Sequence, residues 1–201
     1  MKSPLDFRSP VRISLDKILI PEIKKLKGSI LDVGAGSDSP YKQYMIPWEI
    51  ENNYTTLDID PSTNPDIVSP IEFMNVPDNF YDNVLATEVL EHSANPQKAI
   101  DEIWRVLIPG GKCILTTRFM YPYHPNPRDF YRFSEEAHIE MFKKFRDVKI
   151  ISQGNRLMLM WEMINPNMYT RVILNIFNWF VALFDFKDEK FAMGYLIVAE
   201  K

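Results

Sequence analysis

Three groups of residues in this chain have the types and spacing to do chemistry. The first is the stretch 29–40, where Asp32, Gly34, Ala35, Gly36 and Ser37 follow and interrupt an apolar run of Ile30, Leu31 and Val33. Two glycines at the end of a buried strand let the backbone turn tightly and come close to a bound molecule. Ser39 and Pro40 then suit the N-cap and first position of a helix. The second group is centred on Asp58, 22 positions beyond Gly36, with Ile59 after it. A carboxylate at about that distance accepts hydrogen bonds from ribose hydroxyls in nucleotide-binding α/β folds. Asp60 competes for the role, but Asp58 is the first acid past the apolar Leu57 and holds the ribose spacing. Thr87 and Glu88 end a further apolar run and join the same set.

The third group lies in the segment 118–133, RFMYPYHPNPRDFYRF. His124 is its one histidine, with Asp129, Tyr131 and Arg132 close behind. An imidazole titrates near neutrality, which suits His124 to act as a base or to contact a substrate. An equally good reading pairs Asp129 with Arg132 and leaves His124 in solvent. Glu91 and His92 read as polar residues of a turn, and His92 as structural. No residue is assigned to a metal.

The elements that must position these groups alternate in type. Strands are expected at 30–33, 54–60, 66–68, 80–88, 112–117, 147–153 and 191–199. Helices are expected at 14–27, 41–50, 96–107 and 134–145. Leu15, Ile18, Leu19, Ile23 and Leu26 form one face of the first helix, which Pro21 should kink and Gly28 should cap. Asn95 and Pro96 suit the start of the third helix, and Ser134 the start of the fourth. Strands alternating with helices make βαβ units and a mainly parallel sheet. Ligands in such sheets sit outside the carboxyl ends of the strands, where Gly34, Asp58 and Glu88 converge.

As a set, LDVGAGS, the acid after the second strand, FYDNVLATEVLEH and EIWRVLIPGGKCILTT resemble the class I S-adenosylmethionine-dependent methyltransferases, in particular the methyltransferase type 11-like domains. The resemblance spans about residues 29–135. It implies a Rossmann-like three-layer α/β sandwich with a mainly parallel seven-stranded sheet whose last strand is antiparallel. It implies S-adenosyl-L-methionine as cofactor. Asp32 would hold the loop and the cofactor's amino end, Gly34, Ala35, Gly36 and Ser37 its methionine portion, and Asp58 its ribose. Ile59, Ile71 and Glu72 fall where the family contacts adenine, and Thr87 and Glu88 lie at the cofactor's edge. His92, structural by its own pattern, is put near the cofactor by the resemblance. Two departures stand out: Ser69-Pro70 occupies the place of a common aspartate, and Asp38 that of a frequent third glycine. The substrate-side loop resembles that of polysaccharide-cluster members, which points to a small-molecule or glycan acceptor methylated at oxygen or nitrogen.

The cofactor's chemistry agrees with these residues. A sulfonium nucleoside carries no phosphate, so its site needs a carboxylate for the diol and no cation for a pyrophosphate. Asp38 would add negative charge where a dinucleotide's pyrophosphate sits, and the third glycine that packs helix on strand is missing. That weighs against an NAD-linked oxidoreductase. A non-catalytic, methyltransferase-like interaction subunit is the other alternative.

The 201 residues suffice for one α/β domain, read as a single methyltransferase domain over 1–201. A net charge of −4 weighs against nucleic acid as a partner. The lone Cys113 fits a strand as an inert buried thiol and suits a reducing, cytoplasmic setting. No run is long and apolar enough to cross a membrane. The insertion 157–186 is apolar on most sides, with Arg171, Asn175, Asn178 and Ala182 on its weakly apolar stripe. Its cover is ranked as the domain's own surface first, a second copy docking through 167–186 next, and a lipid interface last.

Overall fold

Seven strands form one sheet in the order β3-β2-β1-β4-β5-β7-β6. They are β1 (Ile30–Val33), β2 (Tyr54–Asp58), β3 (Ile67–Val68), β4 (Tyr81–Thr87), β5 (Leu107–Arg118), β6 (Arg146–Gln153) and β7 (Gly194–Glu200). The helices are α1 (Pro10–Ile23), α2 (Pro96–Val106), α3 (Glu135–Met141) and α4 (Arg156–Ile164). The structure is a computed structural model that describes residues 9–37, 39–45, 53–125, 127–164, 180–181, 183–184, 186 and 188–201.

The first five strands pair in parallel, and β7 runs antiparallel to both β5 and β6. The sandwich has the three layers expected from the sequence. On one face, Leu31, Val33, Leu57, Val84, Ala86, Cys113, Leu115 and Ile197 pack against α2 and α3. On the other, the alternate residues Ile30, Leu85, Ile114 and Leu196 pack against Leu15, Leu19 and Ile23 of α1. The period-2 alternation of each strand therefore splits its apolar side chains between two cores. Cys113 is fully buried, and burial pushes its thiol above the ordinary range.

Several boundaries differ from the sequence reading, each for a local reason. Helix α1 covers Pro10–Ile23 rather than 14–27. Ser9 caps it by accepting the Arg12 N–H, with Pro10 at the first position. Pro21 lies in the last turn, and the helix stops two residues later. Gly28 is not its cap: at φ +82° it turns the chain past Asp82, whose carboxylate accepts the Ser29 N–H and hydroxyl. Of the helix expected at 41–50, a short 3-10 turn, Lys42–Tyr44, is described, and 46–50 lie outside the described residues. Strand β5 begins at Leu107, and its pairing with β4 slips across Pro109-Gly110-Gly111. The last strand starts at Gly194, after a turn at Glu189–Phe191. Helix α3 ends at Met141, short of 145.

The described part of the apolar insertion packs on its own domain. Met158 and Val181 join Val11 and Met193 in a small third core, while Met163, Ile164 and Leu183 stay exposed. Asp38, Arg171, Asn175, Asn178, Ala182 and most of the 167–186 face lie outside the described residues. Among the described residues no helix is long and apolar enough to cross a membrane.

Candidate active site at the carboxyl ends of the strands

A cavity of about 520 Å³ opens at the carboxyl ends of β1, β2 and β4. Its size falls within the range of small-molecule sites. Gly34, Asp58, Ile59, Ile71, Glu72 and Glu88 line it, together with Val33, Leu57, Ser69, Val89, His92, Ser93, Ala94, Pro127, Arg128 and Phe130. Six of the eleven residues expected to contact a cofactor thus share one cavity. The other five stand behind its wall or beside it.

The wall at β1 is built by backbone. Gly34 has φ +69°, and its N–H donates to the Leu57 carbonyl at 2.7 Å, tying the turn to β2. A Cβ at Gly34 would come within 2.2 Å of Val89 Cγ2, so the position admits no side chain. Gly36, at φ +59°, faces open space within 4 Å. Its N–H donates to Asp58 Oδ2 at 2.9 Å, and the Asp60 N–H donates to Oδ1 at 2.9 Å. A carboxylate offers about four lone-pair sites, so Asp58 keeps two for a ligand. Asp60 instead caps the 3-10 turn Pro61–Thr63 by accepting the Ser62 N–H at 2.8 Å.

Asp32 lies beneath the turn, not in the cavity. Its carboxylate accepts the Tyr54 hydroxyl at 2.5 Å, and burial pushes it up to about 6 against hydrogen bonds from Ser39 and Tyr54. It holds the loop from below. Ala35, Gly36, Ser37 and Thr87 adjoin the cavity without lining it. Ile59 is exposed and Ile71 buried, which gives the β2–β3 end of the cavity an apolar surface. Glu72 is spent on structure: its Oε1 accepts the Ser93 hydroxyl at 2.5 Å and the Ala94 N–H at 3.0 Å. Ser69, where the family pattern has an aspartate, donates its hydroxyl to the Phe73 carbonyl.

Glu88 departs from β4 at φ +56°, an uncommon conformation for a glutamate. Its N–H reaches the Thr116 carbonyl at 3.0 Å, and its carboxylate accepts Arg118 at 2.6 Å and Arg12 at 3.4 Å. Arg12 comes from α1, which packs on the sheet and reaches Glu88 through this side chain without lining the cavity. Sequence patterns gave no signal for Arg12 or Arg118 at this site, because both contacts join elements distant in the chain.

The opposite wall is the segment 127–131 docked on the turn Leu90–His92. Phe130 N–H donates to the Glu91 carbonyl at 2.9 Å, Tyr131 hydroxyl to the Ala94 carbonyl at 3.3 Å, and His92 Nδ1 meets the Arg128 carbonyl. His92, read from sequence as a structural turn residue, lines the cavity. Asp129, Tyr131, Arg132 and His124 do not line it. Arg132 is the knot of their loop: its guanidinium donates to the carbonyls of Tyr121, Pro122 and Tyr131 and to both oxygens of Asp129. Those five bonds use all five guanidinium donors. The Asp129 side chain is 1% exposed, and Arg132 holds its carboxyl well below the usual range. His124 Nδ1 lies 3.0 Å from Asp129 Oδ2, and the His124 ring centroid is 5.1 Å from that of His92. Asp129 pairs with Arg132 as one sequence reading has it, but His124 is held against Asp129 and half-buried rather than left in solvent.

Residues 31–115 match a family model described as a methyltransferase domain, Methyltransf_11. No curated protein matches the chain. Solved structures do, at low identity. A SAM-dependent methyltransferase from Archaeoglobus fulgidus is 16% identical with a TM-score of 0.60, over 94% of this chain and 93% of that one. Phosphoethanolamine N-methyltransferase 2 of Haemonchus contortus, solved with S-adenosyl-L-methionine, is 17% identical with a TM-score of 0.61, over 100% of this chain and 60% of that one. The cyclase SpnF is 20% identical with a TM-score of 0.59, over 98% of this chain and 85% of that one. The match to a methyltransferase domain thus covers residues 31–115, and the chain as a whole has the fold of these SAM-dependent methyltransferase structures.

Proposed function

We propose that the cavity binds S-adenosylmethionine and that the protein methylates a small-molecule or glycan acceptor at oxygen or nitrogen. One observation carries this reading: the Asp58 carboxylate and the Gly34 backbone face the same cavity from neighbouring parallel strands, with two carboxylate lone pairs left over. That is what a ribose diol and a closely approaching methionine chain require. The fit extends to charge. With Glu88 matched by Arg118, Asp58 and Glu72 line the cavity against the guanidinium of Arg128, a balance that disfavours a pyrophosphate. The likeness to a cyclase of similar fold makes a direct test of methyl transfer the deciding one.

Asp32 supports the turn from below, Gly34, Ala35, Gly36 and Ser37 form the methionine end, and Asp58 holds the ribose. Ile59 and Ile71 flank the adenine, with Glu72 fixing the wall behind. Thr87 and Glu88 close the β4 side. When bound, the cofactor supplies an activated methyl group, so the chain's task is to orient the acceptor and exclude water. We assign the acceptor end to His124, with His92 in front of it. The orientation of His124 by Asp129 leaves its Nε2 bare and able to contact the acceptor or take its proton. Asp129, Tyr131 and Arg132 shape that end by fixing the loop.

Calorimetric titration with S-adenosylmethionine and with NADH tests the cofactor, and release of S-adenosylhomocysteine against a panel of hydroxylated and amine acceptors tests the reaction. Micromolar binding of the first ligand alone is expected. Binding of NADH in its place, or of neither, would overturn the reading.

A further inference from the structure

Glu91 is fully buried, and neither of its carboxylate oxygens has a hydrogen-bond partner. An orphaned buried carboxylate costs several kcal/mol unless something satisfies it. What stands next to it is a pair of imidazoles. One ring nitrogen of His92, one of His124 and a Glu91 oxygen lie within 4.8 Å of one another.

The tautomers of both rings follow from their other contacts. His92 Nδ1 faces the Arg128 carbonyl, which only accepts, so Nδ1 carries the proton. His124 Nδ1 faces Asp129 Oδ2 at 3.0 Å and Arg132 at 3.4 Å. Arg132 has no donor left, so here too Nδ1 is protonated and donates to Asp129. Each ring thus has its Nε2 lone pair free and is held from behind by a carbonyl or a carboxylate. That is the outer support that metal-binding histidines receive. The nearest guanidinium charges are already matched, Arg118 by Glu88 at 2.6 Å and Arg132 by Asp129.

We propose that Glu91, His92 and His124 form a binding site for a divalent transition-metal cation of the zinc type. Two imidazoles and one carboxylate are a donor set that such ions take with a fourth position open, and that Mg²⁺ and Ca²⁺ do not favour. The cation satisfies the Glu91 carboxylate that the protein alone leaves unpartnered. His92 lines the cavity, so the open position faces its acceptor end. A bound cation would take up the His124 Nε2 lone pair and, in place of that imidazole, hold the acceptor's oxygen or nitrogen; that consequence rests on the methyl-transfer reading, whereas the binding of metal does not.

The test uses the full chain, stripped with chelator and dialysed. Titration with Co²⁺ is followed by visible absorption, and titration with Zn²⁺ by calorimetry and melting temperature. One equivalent of each is expected to bind, with a tetrahedral or five-coordinate Co²⁺ spectrum. Affinity should fall at least tenfold in His92→Ala, in His124→Ala and in Glu91→Gln. Asp58→Ala should keep the metal while losing S-adenosylmethionine, which separates failure of this site from failure of the cofactor reading. Absence of stoichiometric Co²⁺ and Zn²⁺ binding by the unmodified chain overturns the proposal, whatever the variants do. So does a response to Mg²⁺ equal to that to Zn²⁺, or undiminished Zn²⁺ affinity in the two histidine variants.

Discussion

Replacing Asp58 tests the cofactor reading at the point where its geometry is most explicit. Two of the four lone-pair sites on its carboxylate are taken by the N–H groups of Gly36 and Asp60, each at 2.9 Å. The other two are free for the ribose hydroxyls. A hydrogen bond to a charged group contributes about 1.5–3 kcal/mol net. Loss of two, partly compensated by water in an open cavity, leaves about 3 kcal/mol, which is roughly 100-fold in Kd. Asp58→Ala should therefore bind S-adenosylmethionine about two orders of magnitude more weakly by calorimetry. The same substitution removes the acceptors for Gly36 and Asp60, at a cost of about 1 kcal/mol for solvent-accessible donors, or about 2–4 °C in Tm. Asp58→Asn separates the two effects. Its amide presents one acceptor and one donor, so it loses a ligand contact and sets an NH2 against one of the backbone N–H groups while keeping the volume. Affinity intermediate between those of the parent and the alanine variant is expected. If Asp58→Ala stays folded and binds the cofactor within threefold of the parent, the carboxylate does not hold the diol and the assignment of the cavity fails.

Gly34→Ala should lower Tm by roughly 5–10 °C, since its Cβ would sit 2.2 Å from Val89 Cγ2, whereas Gly36→Ala meets only the cost of its positive φ, about 1 kcal/mol. Adding Val89→Ala to Gly34→Ala should restore part of the lost Tm by differential scanning calorimetry; no recovery would show that the clash is not the cause. Arg132→Lys keeps the charge but cannot make five directed bonds, so hydrogen exchange at residues 121–131 should quicken at least tenfold while cofactor affinity changes less than threefold. Burial holds Asp32 protonated up to about pH 6 in the fold, whereas in the unfolded chain it ionises near 3.8. Its stabilising contribution is thus complete below about pH 4 and is lost as the pH rises to about 6, by up to roughly 3 kcal/mol. Asp32→Asn should flatten that limb of the stability curve in urea titrations, and an unchanged slope would refute it.

The clustering of Gly34, Asp58 and Glu88 around one cavity was legible in the sequence because it is made locally. Gly34, Asp58 and Glu88 each stand at or just past the end of an apolar run, and parallel pairing of β1 with β2 and β4 brings such ends together in any sheet of this kind. Asp60 shows the limit of that method: two positions past Asp58 on the same side of its strand by period, it caps a turn instead. Boundaries were less legible where one residue serves two elements. Pro21 both belongs to α1 and ends it, and Gly28 reads as a helix cap while its conformation serves the contact with Asp82. The roles of Arg12 and Arg118 were hidden altogether. Neither belongs to a pattern, and both reach Glu88 only once α1 and β5 are in place.

The acceptor end depends on a different kind of contact, and that difference has a physical consequence. Nothing in a strand or helix period sets where residues 127–131 lie. Their position comes from three hydrogen bonds to the segment 91–94 and from a guanidinium whose donors are all satisfied inside the loop. A loop tied in this way does not behave as a free lid. Arg132 and Asp129 satisfy each other within the loop and hold its shape, so opening it as a body means giving up the three hydrogen bonds to 91–94, at about 1 kcal/mol each. On the proposed reading, the acceptor's shape is therefore read by a wall that is formed before binding. Specificity at this end follows from the volume left between Phe130, His92 and the β4 side of the cavity rather than from closure around the ligand. The orphaned Glu91 belongs to the same logic: burial in that wall pushes its carboxyl up to about 7, so the cation proposed to bind it competes there with a proton.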